Sequence, residues 1–304
     1  MFDAVNLDPA QDVNVSPFAL YAEAREIAGN EGNALWPGYS DAPFQIILID
    51  GEVEYLVCGE GPGEGFEPAG RNQETGCPLA QRARQFSPTF LASFPAVDFI
   101  PTIVVGTPDA TGLTPENWRI VLLHEHFHQM QDAIPGAYQA ALALDLHGGD
   151  ETGMWMLNYP FPYEDETVAA AHRAMSDAAL RALEADDTDF NAAFADYVAR
   201  RGAFLASLGD ADARYWEFQV WREGVARWTE LELSRRASLD AEVRYQWGRL
   251  IDELDSVQLA TRQRSAVYAS GSSDAELLER AGIAWRERYW DEPFTLGPYF
   301  PNPE

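Results

Sequence analysis

Residues 121–131, "VLLHEHFHQMQ", hold three of the chain's five histidines at alternate positions, with a glutamate directly after the first. Imidazoles this crowded suggest a metal, but two different sites are written over the same letters. On an extended backbone every second side chain points the same way, and His124, His126 and His128 would converge. On a helix only His124 and His128 share a face, one turn apart, while His126 lies about 200° round from His124. The helical case is the His-Glu-x-x-His arrangement. Two neutral imidazoles hold Zn2+, and Glu125 takes a proton from the zinc-bound water that then attacks a carbonyl.

The surrounding residues decide between the two. "TPENWRIVLLHEHFHQMQDA" opens with Thr114 as an N-cap, Pro115 at the first helical position and Glu116 in the positive first turn, and it stops before Pro135-Gly136. About twenty residues lie between these signals, against about five or six for an average strand. The pattern predicts a helix over 114–133, so His124 and His128 share the ion and His126 faces elsewhere, to pack or hydrogen-bond.

A catalytic zinc takes a third protein ligand and keeps one position open. "LDLHGGDE" offers Asp145, His147, Asp150 and Glu151, with His147 standing 19 positions after His128. "WREGVARWTELE" offers Glu223. There Val220, Glu223, Arg227 and Glu230 fall on one helical face, and Phe218, Trp221, Val225 and Trp228 form an apolar stripe. An ordinary Glu223–Arg227 pair at i,i+4 competes with a ligand role for Glu223. Glu230, two turns on, is placed to fix the tautomer of His124 or His128, and Arg227 to meet Glu230 or a substrate carboxylate. Gly224 would let its helix approach the His124 helix closely.

"HEHFH" followed by "WREGVARWTELE" resembles the gluzincin group of zinc metallopeptidases, over roughly Ile103 to Leu278. The resemblance implies that Glu223 is the third ligand. It also extends to "SAVYASGSSDAELLERAG", where Tyr268 and Gly271 match a Tyr-x-x-Gly helix start whose tyrosine hydroxyl steadies the tetrahedral oxyanion. The strand ahead of the motif reads "PTIVVGTPDATG" and lacks the Gly-x-Met-x-Asn run with which aminopeptidases of the group read a free amino terminus. Glu223 lies 95 residues beyond His128, a distance that a helical insertion at 160–208 would fill. A metzincin pattern fits less well, because its glycine and third histidine would fall on Gln131 and Ile134.

These residues need a scaffold. "PFALYAEAREIAG" predicts a helix over 17–29, and "FQIILIDGEVEYLVCG" predicts two strands joined at Asp50-Gly51. A helix is expected at 78–86 and a strand at Ile103–Val105, where an extended peptide would find backbone hydrogen bonds. Helices then follow at 165–186, 189–206, 211–236, 240–257 and 273–289, with "YPFPYEDE" as a loop. The expected fold is α+β and zincin-like, with a small N-terminal sheet packed on the active-site helix, then a mainly helical lobe. The expected division is 1–136 and 137–304, as one catalytic unit.

Charge narrows the partners. There are 49 acidic residues against 21 basic ones, all arginine, for a formal charge of −28. Nucleic acid is excluded as a partner, since no basic patch is visible, whereas a cationic peptide would be attracted. No apolar run approaches the roughly 18–20 residues needed to cross a bilayer, and the first residues lack the regions of a signal peptide. Cys58 and Cys77 flank a Gly- and Glu-rich loop. They either close it as a disulfide, which with a removed signal peptide would place the protein outside the cytoplasm, or are two separate buried thiols of a cytoplasmic one. The reading that unites these features is a soluble zinc metallopeptidase. Two alternatives stand beside it: a His-x-His metallohydrolase of a non-peptide substrate, and a zincin scaffold that only binds a partner.

Overall fold

Ile46–Ile49 is apolar at every position because both faces of the strand it forms are covered. In the computed structural model, which describes residues 15–301, that strand is β1 (Ile46–Asp50). It turns at Gly51, in the left-handed region, into β2 (Val53–Val57), as the Asp50-Gly51 signal predicts. β3 (Glu67–Arg71), β4 (Pro78–Ala83), β5 (Leu91–Val97) and β6 (Ile100–Gly106) complete a six-stranded sheet in the order β3-β4-β2-β1-β6-β5. All neighbours are antiparallel except β1 and β6, which run parallel. Side chains alternate between faces. Ile46, Leu48, Ile103 and Val105 point to the helices, while Ile47, Ile49 and Val104 join Leu56, Phe66 and Val97 on the other side.

The helix expected at 78–86 does not form. Residues 78–83 pair on both sides, with β2 and with β3, and this ladder overrides any local helical preference. Cys58 and Cys77 are joined in a disulfide at the ends of β2 and β4, closing a loop of sequence separation 19. That closure stabilises the fold by about 3 kcal/mol.

Helix α1 (Pro17–Ile27) packs on α2 (Pro115–Asp132), the histidine helix. The predicted start of α2 is observed: Thr114 Oγ1 accepts from the Asn117 N–H at 3.2 Å, with Pro115 next in line. Both ends of α2 are tied to the sheet. Trp118 Nε1 donates to Gly106 O at the end of β6 (2.8 Å), and Gln129 Nε2 donates to Gln45 O (2.9 Å) and Pro101 O (3.0 Å) at the other end.

The helical lobe comprises α3 (Glu166–Glu184), α4 (Phe190–Ala206), α5 (Asp210–Gln219), α6 (Val225–Arg236), α7 (Asp240–Asp255) and α8 (Ala266–Arg280). The single helix expected at 211–236 is continuous but carries a π-helical turn, Val220–Gly224, between α5 and α6, where the Val225 N–H reaches back to Val220 O. The helix expected at 273–289 lies earlier in the chain. It ends at Gly282, whose φ of +69° lets the Ile283 N–H close on Leu278 O. The chain beyond is held by Glu217, which accepts from the Leu296 and Gly297 N–H groups, each at 3.1 Å.

Gly224 has a different neighbour from the one its sequence position suggested. A Cβ there would lie 2.4 Å from the Gly271 Cα, and a Cβ on Gly271 would lie 2.6 Å from the Gly224 Cα. The close approach is therefore to α8, not to the histidine helix, and both partners must lack a side chain. Gly271→Ala is expected to destabilise the protein by about 1–3 kcal/mol, outweighing the gain of up to about 1 kcal/mol that alanine brings to an open helix interior; denaturant unfolding measures the difference.

His172 on α3 is buried against Phe204 and Trp216, with Nε2 3.2 Å from Ser270 Oγ. Burial pushes its pKa down to about 4. An unfolded histidine titrates at about 6.5, so the unfolded chain takes up the proton first as pH falls. Stability from this group is complete above about 6.5 and is lost as pH falls to about 4. Chemical unfolding at a series of pH values should show a shallower decline across that window in His172→Gln than in the wild type.

Candidate metal centre

His124 and His128 project from one face of α2, their Nε2 atoms 3.1 Å apart. Glu223, on the π-helical turn, places Oε2 3.2 Å from His128 Nε2 and 3.6 Å from His124 Nε2. Among the described residues these three form the cluster able to chelate a divalent ion. The three separations bracket the edge of a tetrahedron, about 3.3–3.4 Å for ligand bonds of about 2.0–2.1 Å.

The outer ring nitrogens settle which atoms face inward. Gln131 Nε2 donates to Tyr289 Oη (2.8 Å) and Trp221 O (3.2 Å), which turns its Oε1 to His128 Nδ1 at 2.8 Å. The proton of His128 is thereby held on Nδ1. On His124, Nδ1 lies 3.4 Å from Glu230 Oε2, an ion-pair contact without a hydrogen bond. With both rings neutral and their protons on Nδ1, the two Nε2 atoms and the Glu223 oxygen would present three acceptors to one point. A cation satisfies such a set; another protein hydrogen bond does not.

The electrostatics point the same way. Burial works most strongly against a charged His124, yet Glu223 and Glu230 outweigh it and raise the pKa to about 9. Burial likewise pushes Glu223 up, but His128, His124 and Arg264 together hold it well below the usual carboxylate range. Glu125, buried beside the imidazoles, is raised by that burial, with His128 and His124 partly offsetting it. The position between these groups favours positive charge, whether a proton or a metal ion.

His126 faces away. It stacks on Phe44 (ring centroids 3.8 Å, 7° between planes), with Nε2 3.0 Å from Tyr39 O and Nδ1 2.9 Å from Gln129 Oε1. The triplet on an extended backbone is therefore overturned by the helix that carries it. The nearer ligand candidates do not reach the cluster. His147 Nδ1 accepts from the Gly149 N–H in its own loop, Asp150 caps Thr152, and neither they nor Asp145 and Glu151 join it. Arg227 meets Glu230 at 2.9 Å rather than Glu223.

Tyr268, in the first turn of α8, lies over His124 with ring centroids 6.0 Å apart. Burial, reinforced by Glu223, raises its phenol, which keeps the proton on as a donor. Three features escaped the sequence reading. Gln131 stands three residues after His128 on the same face, a spacing that could have flagged it. Arg222 grips Asp132 with two contacts, 2.7 and 3.0 Å, joining the π-helical turn to the end of α2. Arg264, one turn before Tyr268, reaches Glu223 Oε1 at 3.2 Å. Gln263 just before it has φ +47° and ψ −132°, a conformation that costs about 1–3 kcal/mol for a residue other than glycine.

A His-Glu-x-x-His helix completed by a later glutamate is the gluzincin-type zinc arrangement, and this chain has it. Comparison with protein-family models, with curated proteins and with solved structures finds no match to the chain.

Removing either group that faces an outer ring nitrogen, by Gln131→Ala or Glu230→Ala, is expected to lower zinc affinity about 10–100-fold. Competition with a chromogenic chelator reads this, and an unchanged affinity would remove both from the site.

Proposed function

We propose that the protein is a zinc-dependent peptidase. One observation carries the reading: two buried imidazole nitrogens and a carboxylate oxygen converge at the spacing of zinc ligands, with the outer nitrogen of His128 hydrogen-bonded to Gln131 and that of His124 facing Glu230. Zinc bound there supplies a Lewis acid and lowers the pKa of a coordinated water towards neutrality. His124, His128 and Glu223 hold the ion. Glu125 is the general base, taking a proton on its carboxylate and returning it to the leaving nitrogen, and its raised pKa suits that double duty. Tyr268 donates its hydroxyl proton to the oxyanion as negative charge develops.

The substrate strand is not Ile103–Val105. β6 is hydrogen-bonded to β1 on one side and to β5 on the other, so it has no free edge. β5 is an edge of the sheet and packs beside α2, and an extended peptide would pair there. Residues 1–136 supply the histidines and 137–304 the third ligand, which supports two subdomains meeting at the site. The acidic composition leaves a peptide, not a nucleic acid, as the fitting substrate. Among the described residues no helix is long and apolar enough to cross a membrane, and the disulfide suits an oxidising compartment.

Glu125→Gln is expected to lose about 10²–10⁴-fold in peptide hydrolysis while still binding one zinc per chain, and Glu223→Ala to lose the zinc. Tyr268→Phe should cost about 10²–10³-fold in kcat. Elemental analysis with a peptide-cleavage assay tests all three. Zinc bound but no hydrolysis by the wild type would leave a binding scaffold instead.

A further inference from the structure

Three guanidinium groups lie near the metal centre, and two have committed partners. Arg222 is bound to Asp132 through two contacts, and Arg227 sits 2.9 Å from Glu230. Arg264 differs. Its contacts are long: 3.2 Å to Glu223 Oε1, 3.3 Å to Gln219 Oε1 and 3.4 Å to Tyr268 Oη. Its Nε makes no hydrogen bond among the described residues, and its side chain is 25% exposed while that of Glu223 is 12% exposed.

Among the described residues Glu223 is the only anion that Arg264 touches, and its other oxygen faces the imidazoles. With a divalent ion bound, that carboxylate is shared, and the charge of Arg264 is left largely uncompensated. The remaining groups around it, Gln219, Tyr268 and Tyr215, are uncharged. A protein of formal charge −28 thus exposes a fork of N–H donors beside its metal centre, next to the tyrosine proposed to steady the oxyanion. A planar fork of this kind matches a carboxylate, which it can grip with two parallel hydrogen bonds. Gln263, directly before it, has a backbone conformation that is unfavourable for a residue other than glycine.

We infer that Arg264 binds a carboxylate of the substrate, so the substrate class is a peptide bearing a carboxylate within about two residues of the bond cut, at about 3.3–3.6 Å per residue. This rests on the peptidase reading above. The carboxylate is either the C-terminal one or that of an acidic side chain. A cationic peptide meets the requirement equally, since its C-terminus carries the same group.

The test is capture of peptides by zinc-loaded Glu125→Gln protein, read by mass spectrometry. The probes are a degenerate acetylated hexapeptide pool with a free C-terminal carboxylate, the same pool amidated, and amidated pools with a single internal Glu or Gln. Enrichment of carboxylate-bearing members by about 10–100-fold is expected, the worth of a charge-assisted hydrogen bond. Enrichment confined to the first pool identifies the terminal carboxylate; enrichment of the Glu pool over the Gln pool identifies a side chain. Adding Arg264→Gln should abolish the preference with zinc still bound, and Arg264→Lys should restore part of it. Equal retention of the acid and amide pools together with equal retention of the Glu and Gln pools, retention of no pool, or a preference that survives Arg264→Gln overturns the inference. Hydrolysis by Glu125→Gln protein, or its failure to hold zinc, is a separate result that defeats the peptidase reading itself.

Discussion

Three hydrogen-bond acceptors are held face to face inside this protein, and most of the framework around them makes sense as the means of keeping them so. Two imidazole lone pairs 3.1 Å apart repel each other unless a cation lies between. Left free, either ring would flip or change tautomer to find a donor. Gln131 removes that freedom from His128 by bonding its outer nitrogen and is itself fixed by Tyr289 and Trp221, while Glu230 faces the outer nitrogen of His124. Hydrogen bonds further out help hold the inner set, which is how buried polar sites keep a unique arrangement.

The ligands come from two parts of the chain, and separate devices bring them together. α2 is a rigid rod pinned to the sheet through Trp118 and Gln129. The third ligand arrives on a π-helical turn, a distortion common at functional sites, held against the end of α2 by the Arg222–Asp132 pair. On its other side the same turn presses on α8 through the Gly224–Gly271 contact. The residue after the ligand and the residue three beyond Tyr268 thus lie face to face where the two elements press together, which ties the ligand's turn to the helix that carries the tyrosine.

Much of this was legible in the sequence, and its limits follow from physical range. The cap and proline at Thr114 and Pro115 are local signals, and they fixed both the helix and the choice of His124 and His128 over His126. Glu230 followed from helical period. β4 was misread because its pairing with β2 and β3 is non-local, and no short window contains it. Glu223 was singled out by resemblance and by the glycine beside it, since helical pattern leaves it indistinguishable from a surface Glu–Arg pair. Arg264 stayed hidden because two of the groups it meets, Glu223 and Gln219, lie 41 and 45 residues away in the chain, and no local pattern contains them. Gly224 was right in kind and wrong in partner: the sequence marks where a side chain is absent, not what comes close.

The Cys58–Cys77 bridge has a bearing on the life of a protein that cleaves peptides or lives among enzymes that do. The loop it closes contains Arg71 and no lysine, so an arginine- or lysine-directed protease has a single target inside it. A nick there would leave both fragments covalently joined, with β2 and β4 still paired in the middle of the sheet and the histidine helix undisturbed behind them. Such a molecule would migrate as two pieces only after reduction, and until then it would carry its scar without coming apart.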